Sequence, residues 1–293
     1  MRNVAFVGHS HSGKSALIEW MLYDEKMLKK TPVNGLSTLD FDPVEESRHS
    51  SIFSHFARVP HRNFLLEISD TPWGDFPSDA YATLDGADTA VIVISASDGV
   101  QHGTINAFQR CRDAGVKVIL CLSKLDRPFI NIEAVLNDIE ESLGIQVSPL
   151  QETIGEGENL EGIKSLFRFD DNGSVQIDKD ESLTSLKSKL EETIAMSNDD
   201  LLIEYLENSE LSTEQIVSGL KSGVREDTIF PLVYTSAEKN IGVEELMDTI
   251  TTFLPNPIEL REHVLKATCE HFIDQCSVEP GVESGFAGRV VHT

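Results

Sequence analysis

The feature that most constrains this chain is the eight-residue string GHSHSGKS at positions 8–15. It follows the apolar run 4–7 and precedes a helical pattern over 16–22, which predicts a loop between a strand and a helix. Two glycines bound the loop, so backbone N–H groups can close around an anion, and the next helix directs its positive dipole end there. The string predicts a phosphate cradle with a nucleoside triphosphate as its ligand. The alternative is a Gly/Ser-rich turn that matches by chance.

Every residue of this string is predicted to contact the nucleotide: Gly8, His9, Ser10, His11, Ser12, Gly13, Lys14 and Ser15. Lys14 adds a point charge beside the phosphates and is the predicted catalytic residue. Ser15 offers a hydroxyl to Mg²⁺. The string alone does not distinguish adenine from guanine.

Short apolar runs with strand character alternate with helical stretches along the chain. The runs cover 3–7, 52–58, 64–69, 90–95, 116–123 and 230–234. This order predicts an α/β fold, a doubly wound and mainly parallel sheet. Ligands of such sheets bind beyond the carboxyl ends of the strands, so the residues that directly follow each run are the candidate site residues.

Three strings in these positions carry chemistry. Asp70 follows the third run and is placed to hold Mg²⁺ beside the cradle. SKLD at 123–126 follows the fifth run, and Asp126 can accept from guanine N1–H and N2–H, which adenine lacks. The Lys124 stem covers the base, and the backbone of Ser236 and Ala237, after the last run, can reach guanine O6. Together with the cradle these strings predict a guanine nucleotide.

The stretch 28–51 has no clear periodicity and is long for a loop in a compact domain. We interpret it as a switch segment that the third phosphate and Mg²⁺ order, with Ser51 as a hydroxyl ligand. The predicted Mg²⁺ ligands are then Ser15, Ser51 and Asp70. A mobile surface loop is the alternative.

Composition sets broader limits. The chain has 293 residues, with 24 basic and 49 acidic ones and a net charge of −25, so non-specific attraction to nucleic acid should be weak. No apolar run approaches the roughly 18 residues that span a bilayer, so no membrane partner and a cytoplasmic location are expected, with an organelle left open. The four cysteines lack CxxC spacing, and Cys111 and Cys121 lie in apolar stretches, so buried free thiols are the preferred interpretation; a zinc site at Cys269, His271 and Cys276 is discounted.

Taken together, these strings resemble the G domain of the translational GTPase elongation factor G, and more closely its paralogues whose cradle reads GHSGxGKT. The similar stretches are 40–52, SKLDR at 123–127, 190–216 in the part that resembles that factor's inserted subdomain, and 231–257. The resemblance implies a P-loop GTPase that binds GTP or GDP with Mg²⁺, docks on the ribosome, and couples hydrolysis to translocation or recycling.

The resemblance also implies a division of the chain. Residues 1–146 form the first part of the G domain, 147–227 a small helix-rich inserted subdomain, and 228–258 the end of the G domain. Residues 259–293 resemble the start of a β-barrel domain, with its first strand at 285–293. A lone barrel strand has unpaired edges, so residues from about 262 onward are expected to lack order or to pack on the G domain.

Four positions depart from the family's pattern. Trp73 stands where the switch II string DTPG has glycine, and no His or Tyr follows to position water. Because Trp lacks glycine's conformational range, slow intrinsic turnover is expected. Ser123 replaces the Asn of NKxD and loses an amide that would tie guanine N7 to the cradle, so weaker but still guanine-selective binding is expected. His11 is tolerated if its backbone is left-handed, and Ser51 keeps the hydroxyl of the family's Thr.

Three functions remain. The first is a GTP-binding switch of the elongation factor G type. The second is a degenerate paralogue that acts as a nucleotide-binding interaction module with little or no hydrolysis. A P-loop kinase or ATPase is the third, and SKLD argues against it.

Overall fold

A computed structural model gives the fold. It describes residues 1–32, 39, 42, 45, 51–73, 77–170, 174–257, 259–260, 263–269 and 272–278, with backbone alone for the last two ranges and for Pro77. Most of the predicted switch segment lies outside these residues. So do Gly74, which follows Trp73, and the barrel-like stretch 285–293.

The described residues contain the following strands: β1 Arg2–Val7, β2 His55–His61, β3 Phe64–Asp70, β4 Thr89–Ser95, β5 Lys117–Ser123, β6 Val147–Pro149, β7 Gln151–Ile154, β8 Gly162–Ser165, β9 Phe167–Phe169, β10 Val175–Ile177, β11 Phe230–Tyr234, β12 His263–Cys269 and β13 Phe272–Val278. Seven of them form one sheet in the order β2-β3-β1-β4-β5-β11-β6. β2 runs antiparallel to β3, and the other neighbours are parallel. The predicted mainly parallel, doubly wound sheet is confirmed.

The helices of the described residues are α1 Lys14–Asp24, α2 Pro77–Asp85, α3 His102–Ala114, α4 Ile132–Leu143, α5 Thr184–Ser197, α6 Asp199–Asn208, α7 Thr213–Arg225 and α8 Val243–Phe253. They cover both faces of the sheet. Along β1, Val4 and Phe6 belong to one buried cluster, whereas Ala5 and Val7 belong to another. This alternation follows from the two-residue period of a strand, and it explains why β1 is apolar throughout.

Strand β2 begins at His55, three residues later than the apolar run predicts. The Glu45 carboxylate accepts from the N–H groups of Ile52 (2.7 Å) and Phe53 (3.0 Å). Asp79 accepts from the N–H of Ser54 at 2.6 Å. Since these three backbone donors are already bonded to side chains, the ladder with β3 starts only after them.

The predicted inserted segment contains two short hairpins and three helices. β7 pairs with β8, and β9 pairs with β10; α7 contacts β10, and α5 contacts both α6 and α7. β6 pairs with β11, so the first three residues of the range 147–227 lie in the central sheet. The limits of the inserted subdomain stay a prediction.

Two further observations concern the chain's end and its helices. β12 and β13 form an antiparallel hairpin. Whether the tail packs on the G domain stays a prediction. None of the helices in the described residues is long and apolar enough to cross a membrane.

Candidate functional site

The loop after β1 has the backbone of a cradle. Gly8, His11 and Gly13 have φ values of 131°, 61° and 102°. A Cβ on Gly8 would lie 2.4 Å from the Val93 carbonyl oxygen of β4, so only glycine fits there. His11 is left-handed, the conformation in which the sequence analysis expected histidine to be tolerated. The loop ends at Gly13, the N-cap of α1, so the first N–H groups of that helix face the loop.

One basic side chain, Lys14, is bonded to the backbone of the loop. The Lys14 ammonium donates to the carbonyls of Gly8 (3.2 Å) and His9 (3.1 Å). Burial lowers the pKa of Lys14, and the charge of Asp70 partly opposes this. Burial also lowers the pKa of His9, and the charges of Lys14 and His11 act in the same direction. The Lys14 ammonium, bonded to two loop carbonyls, therefore lies where it could meet a phosphate held by the loop.

At the other side of the loop, the first residues of α1 meet the end of β3. The Ser15 hydroxyl donates to Asp70 Oδ2 at 2.5 Å. Asp70 is buried. Mg²⁺ prefers oxygen ligands and is usually held by one or two protein groups together with phosphates and water. This hydroxyl and carboxylate fit such an ion. Ser51 is next to the backbone that Glu45 binds, and its role as a ligand stays a prediction.

The loops after β5 and β11 lie side by side because these strands are neighbours in the sheet. The Ser236 hydroxyl donates to Asp126 Oδ1 at 2.5 Å. The Leu125 N–H also bonds the carbonyl of Thr235 at 3.4 Å. Lys124, with φ 60°, places its ammonium 3.4 Å from Asp98 Oδ2. The structure thus brings Asp126, Lys124 and Ser236 together, with Ala237 following directly in the chain.

Ser123 joins this pair of loops to the cradle. Its hydroxyl lies 2.5 Å from the Ser12 carbonyl oxygen and 3.1 Å from that of Ile94. The sequence analysis expected the tie to the cradle to be lost with the Asn of NKxD. The serine hydroxyl still bonds the cradle backbone, because the end of β5 lies near enough for it to reach. The expected loss of the bond to guanine N7, and with it weaker nucleotide binding, stays a prediction.

Trp73 is a core residue as well as a departure from the family's string. Its side chain is 2% exposed and packs edge-on against Tyr81, with the ring centroids 5.3 Å apart. Its carbonyl accepts a hydrogen bond from the Ser10 hydroxyl of the cradle. The indole therefore fixes the backbone where the family's glycine is free to turn.

Sequence reasoning missed one basic residue near the base end, Lys239. Its ammonium donates to the carbonyls of Glu158 (2.8 Å) and Leu160 (2.7 Å), which are 81 and 79 residues away in the chain. Backbone acceptors at such a separation have no signature in a local pattern, so no string pointed to this contact.

The chain has the P-loop GTPase fold. This class is defined by the mainly parallel sheet with GHSHSGKS after its first strand, the serine and aspartate pair beside that loop, and SKLD at the end of the fifth strand. Residues 1–256 match the family described as "Elongation factor Tu GTP binding domain", and the chain belongs to that family. The predicted resemblance is confirmed.

The chain is similar to an "Elongation factor G-like protein" of Thermotoga maritima, with 27% identity over 265 residues, covering 88% of this chain and 38% of the relative. It is similar to "Elongation factor G 1" of Treponema denticola, with 29% identity over 276 residues, covering 89% and 40%. A crystal structure of a Thermus thermophilus protein superposes with a TM-score of 0.78 at 28% identity, covering 88% of this chain and 41% of that one. The chain thus spans about two fifths of the length of these relatives.

Proposed function

We propose that this chain is the GTP-binding domain of a translational GTPase of the elongation factor G type. It binds GTP and GDP with Mg²⁺, and in the cytoplasm it couples the nucleotide state to a step on the ribosome. The observation that carries the proposal is the Ser123 to Ser12 contact, which joins the loops of the base end to the phosphate cradle.

The phosphate end of the proposed site consists of the cradle with Lys14, Ser15, Ser51 and Asp70. Bound Mg²⁺ supplies charge neutralisation at the β- and γ-phosphates. The loop's N–H groups and the Lys14 ammonium hold the phosphate oxygens, while Ser15 and Asp70 offer oxygen ligands. On binding, the ammonium exchanges its bonds to the Gly8 and His9 carbonyls for phosphate oxygens.

The base end consists of Lys124, Asp126, Ser236 and Ala237. The Ser236 hydroxyl fixes the rotamer of Asp126, so the carboxylate is oriented before the base arrives. A buried carboxylate that needs two N–H donors rejects a base that offers none, which favours guanine over adenine strongly. This selectivity is the reason to prefer a GTPase to a kinase or an ATPase.

Hydrolysis is proposed to be slow. Phosphoryl transfer is catalysed mainly by positioning and by charge stabilisation. The buried indole of Trp73 restrains the backbone that would have to turn toward a γ-phosphate. The same observation favours the second candidate, a nucleotide-binding interaction module with little or no turnover.

Nucleotide titration tests the binding proposal. The chain is titrated with GTP, GDP and ATP in the presence of Mg²⁺, alongside Lys14→Met and the control Lys221→Met, an exposed lysine on α7. We expect the chain to bind GTP and GDP but not ATP. We expect Lys14→Met to lower the affinity for GTP and GDP by at least about tenfold and the control to leave it unchanged. Equal affinity for ATP and GTP would contradict the proposal.

Phosphate release from the same samples, with and without ribosomes, separates the two candidates. We expect slow release without ribosomes and a faster rate with them. If no phosphate is released under either condition, the interaction module is favoured. An intrinsic rate equal to that of ordinary members of the family contradicts the role given to Trp73.

A further inference from the structure

The turn between β7 and β8, residues 155–160, contacts both loops of the base end. The turn is short and closed: the Glu161 N–H donates to the Ile154 carbonyl at 2.8 Å, and a 3₁₀ turn, Gly157–Asn159, lies within it. It belongs to the part of the chain that the sequence analysis assigned to the inserted subdomain rather than to the nucleotide site.

The first contact passes through Lys239. The ammonium of this residue donates to two carbonyls of the turn, those of Glu158 at 2.8 Å and Leu160 at 2.7 Å. The backbone N–H of Lys239 donates to the Ser236 hydroxyl at 3.3 Å, and that hydroxyl donates to Asp126 Oδ1. Two residues, Lys239 and Ser236, therefore link the turn by hydrogen bonds to the carboxylate that reads the base.

The second contact is between backbones. Gly157 has φ 57°, and a Cβ added to it would lie 2.9 Å from the carbonyl oxygen of Arg127. Arg127 directly follows Asp126 in the chain. The turn therefore packs against the loop after β5 as closely as a glycine allows, and any larger residue would push the two apart.

Apolar packing makes this support rigid. Leu160 is 3% exposed and lies in the same buried cluster as Leu125, and Ile241 packs against that cluster. Leu125 precedes Asp126, and Ile241 closes the other loop by exchanging backbone hydrogen bonds with Ser236 at 2.9 Å. One turn thus fixes the relative position of the two base-end loops.

From these contacts we infer that Lys239 and Gly157 are positioning residues for guanine recognition: through the turn 155–160 they hold Asp126 and Ser236 in the geometry that reads the base. The inference rests on the proposed function, because it assumes that Asp126 meets guanine. It assigns a role in base selectivity to a segment outside the cradle and outside the two base-end loops.

Comparison of GDP with inosine diphosphate, which lacks the 2-amino group, tests the inference. The ratio of the two affinities measures how well Asp126 is placed for both guanine donors, whereas a loss of overall stability leaves that ratio unchanged. The variants are Lys239→Met and Gly157→Ala. The matched control is Lys164→Met, since Lys164 lies in β8 of the same hairpin but bonds Ser182 and Asp180 instead, both at 2.9 Å.

We expect the GDP preference over inosine diphosphate to fall by about fivefold or more in both variants, as when a charged hydrogen bond is weakened, and to stay at the wild-type value in Lys164→Met. Thermal melting identifies which variants are folded at the temperature of the titration, and Gly157→Ala carries the comparison if Lys239→Met is unfolded. A folded variant that keeps the wild-type ratio overturns the inference and leaves the proposed function standing. A wild type that does not bind GDP overturns both.

Discussion

At the scale of single residues, the two carboxylate oxygens of Asp126 have different neighbours. Oδ1 accepts from Ser236 at 2.5 Å, and the Arg127 guanidinium is 3.9 Å from Oδ2. The side chain of Asp126 is 8% exposed, so its carboxylate is largely shielded from water. Hydrogen bonds to such a group discriminate strongly between donors and acceptors.

We predict that Asp126→Asn shifts the preference from guanine to xanthine nucleotide. The amide presents a donor where the carboxylate accepted, and xanthine carries a carbonyl in place of the 2-amino group, so the pairing is restored with reversed polarity. Competition between GTP and xanthosine triphosphate measures the shift. Asp113→Asn, an exposed position on α3, is the control. An unchanged preference means that the base lies elsewhere.

His61 is a second residue with an unusual environment. It is buried at the end of β2, where Nδ1 is 2.6 Å from Glu25 Oε1 and Nε2 is 2.7 Å from Asp248 Oδ1. Burial alone lowers the pKa of His61, but its bonds to Asp248 and Glu25 outweigh burial and raise it. Arg62 also bonds Asp248, through Nε at 2.6 Å. The end of the β2–β3 hairpin is thereby attached to the residue that follows α1 and to α8.

A pH dependence of stability follows from His61. Its pKa is higher in the folded chain than in the unfolded one, so its contribution is complete below about pH 6.5 and is lost as the pH rises through the folded value. We predict that His61→Gln lowers the free energy of unfolding by about 1–3 kcal/mol at pH 6, and by less at pH 9. Urea unfolding at both pH values measures this, with exposed His102→Gln as the control. An equal loss at both values contradicts it.

At the scale of elements, the close approach of α7 to its neighbours depends on a glycine. A Cβ on Gly219 would lie 2.4 Å from Cγ2 of Ile194 in α5 and 3.1 Å from Leu201 of α6. Ile194 is fully buried, and its β-branched side chain has little freedom to move away. The packing of the three helices is therefore set by the absence of a side chain at this point.

We predict that Gly219→Ala destabilises the chain by up to about 2 kcal/mol, because an overpacking cost of about 1–3 kcal/mol outweighs the roughly 1 kcal/mol that alanine contributes to a helix interior. The control is Ser218→Ala on the exposed side of α7, which should change stability by no more than about 0.5 kcal/mol. Urea unfolding compares both with the wild type. A gain in stability for Gly219→Ala would show that the helices can separate without cost.

Predictability from sequence differed between elements for physical reasons. Long strands such as β4 and β5 were predicted correctly because both of their faces are buried, so each is a continuous apolar run that can be recognised in the sequence. The three-residue strand β6 was missed because so short a run has no pattern and exists through its pairing with β11. The start of β2 was misplaced because the carboxylate of Glu45 binds the N–H groups of Ile52 and Phe53, the first residues of the predicted run.

The candidate site divides in the same way. Contiguous strings predicted the cradle and the loop of Asp126, because the chemistry there needs particular residues at fixed spacing. Contacts between these strings could not be predicted. In the sequence, Ser123 indicates only the loss of the family's asparagine, whereas in the structure its hydroxyl bonds the cradle. Lys239 and Gly157 contact backbone carbonyls. Since every residue has a carbonyl, the sequence does not indicate which residues these two contact.

At the scale of the whole molecule, the net charge of −25 sets how the chain meets other polymers. We predict no binding of random-sequence RNA tighter than about 100 µM at roughly 0.15 M salt, because non-specific affinity comes from phosphate neutralisation by basic surface groups. Fluorescence anisotropy of a labelled RNA measures this, with a basic RNA-binding protein as the positive control. Micromolar binding that weakens with salt would reveal a basic surface that the overall charge conceals.

The chain contains two tryptophans, Trp20 and Trp73. The carbonyl of Trp73 accepts from the Ser10 hydroxyl of the cradle, and the indole ring of Trp73 is buried beside Tyr81. A change in the conformation of the cradle should therefore alter the environment of this indole. Replacement of Trp20 by phenylalanine leaves Trp73 as the only tryptophan of the chain. The emission of such a variant would give a label-free optical record of each change in the loop as ligands come and go.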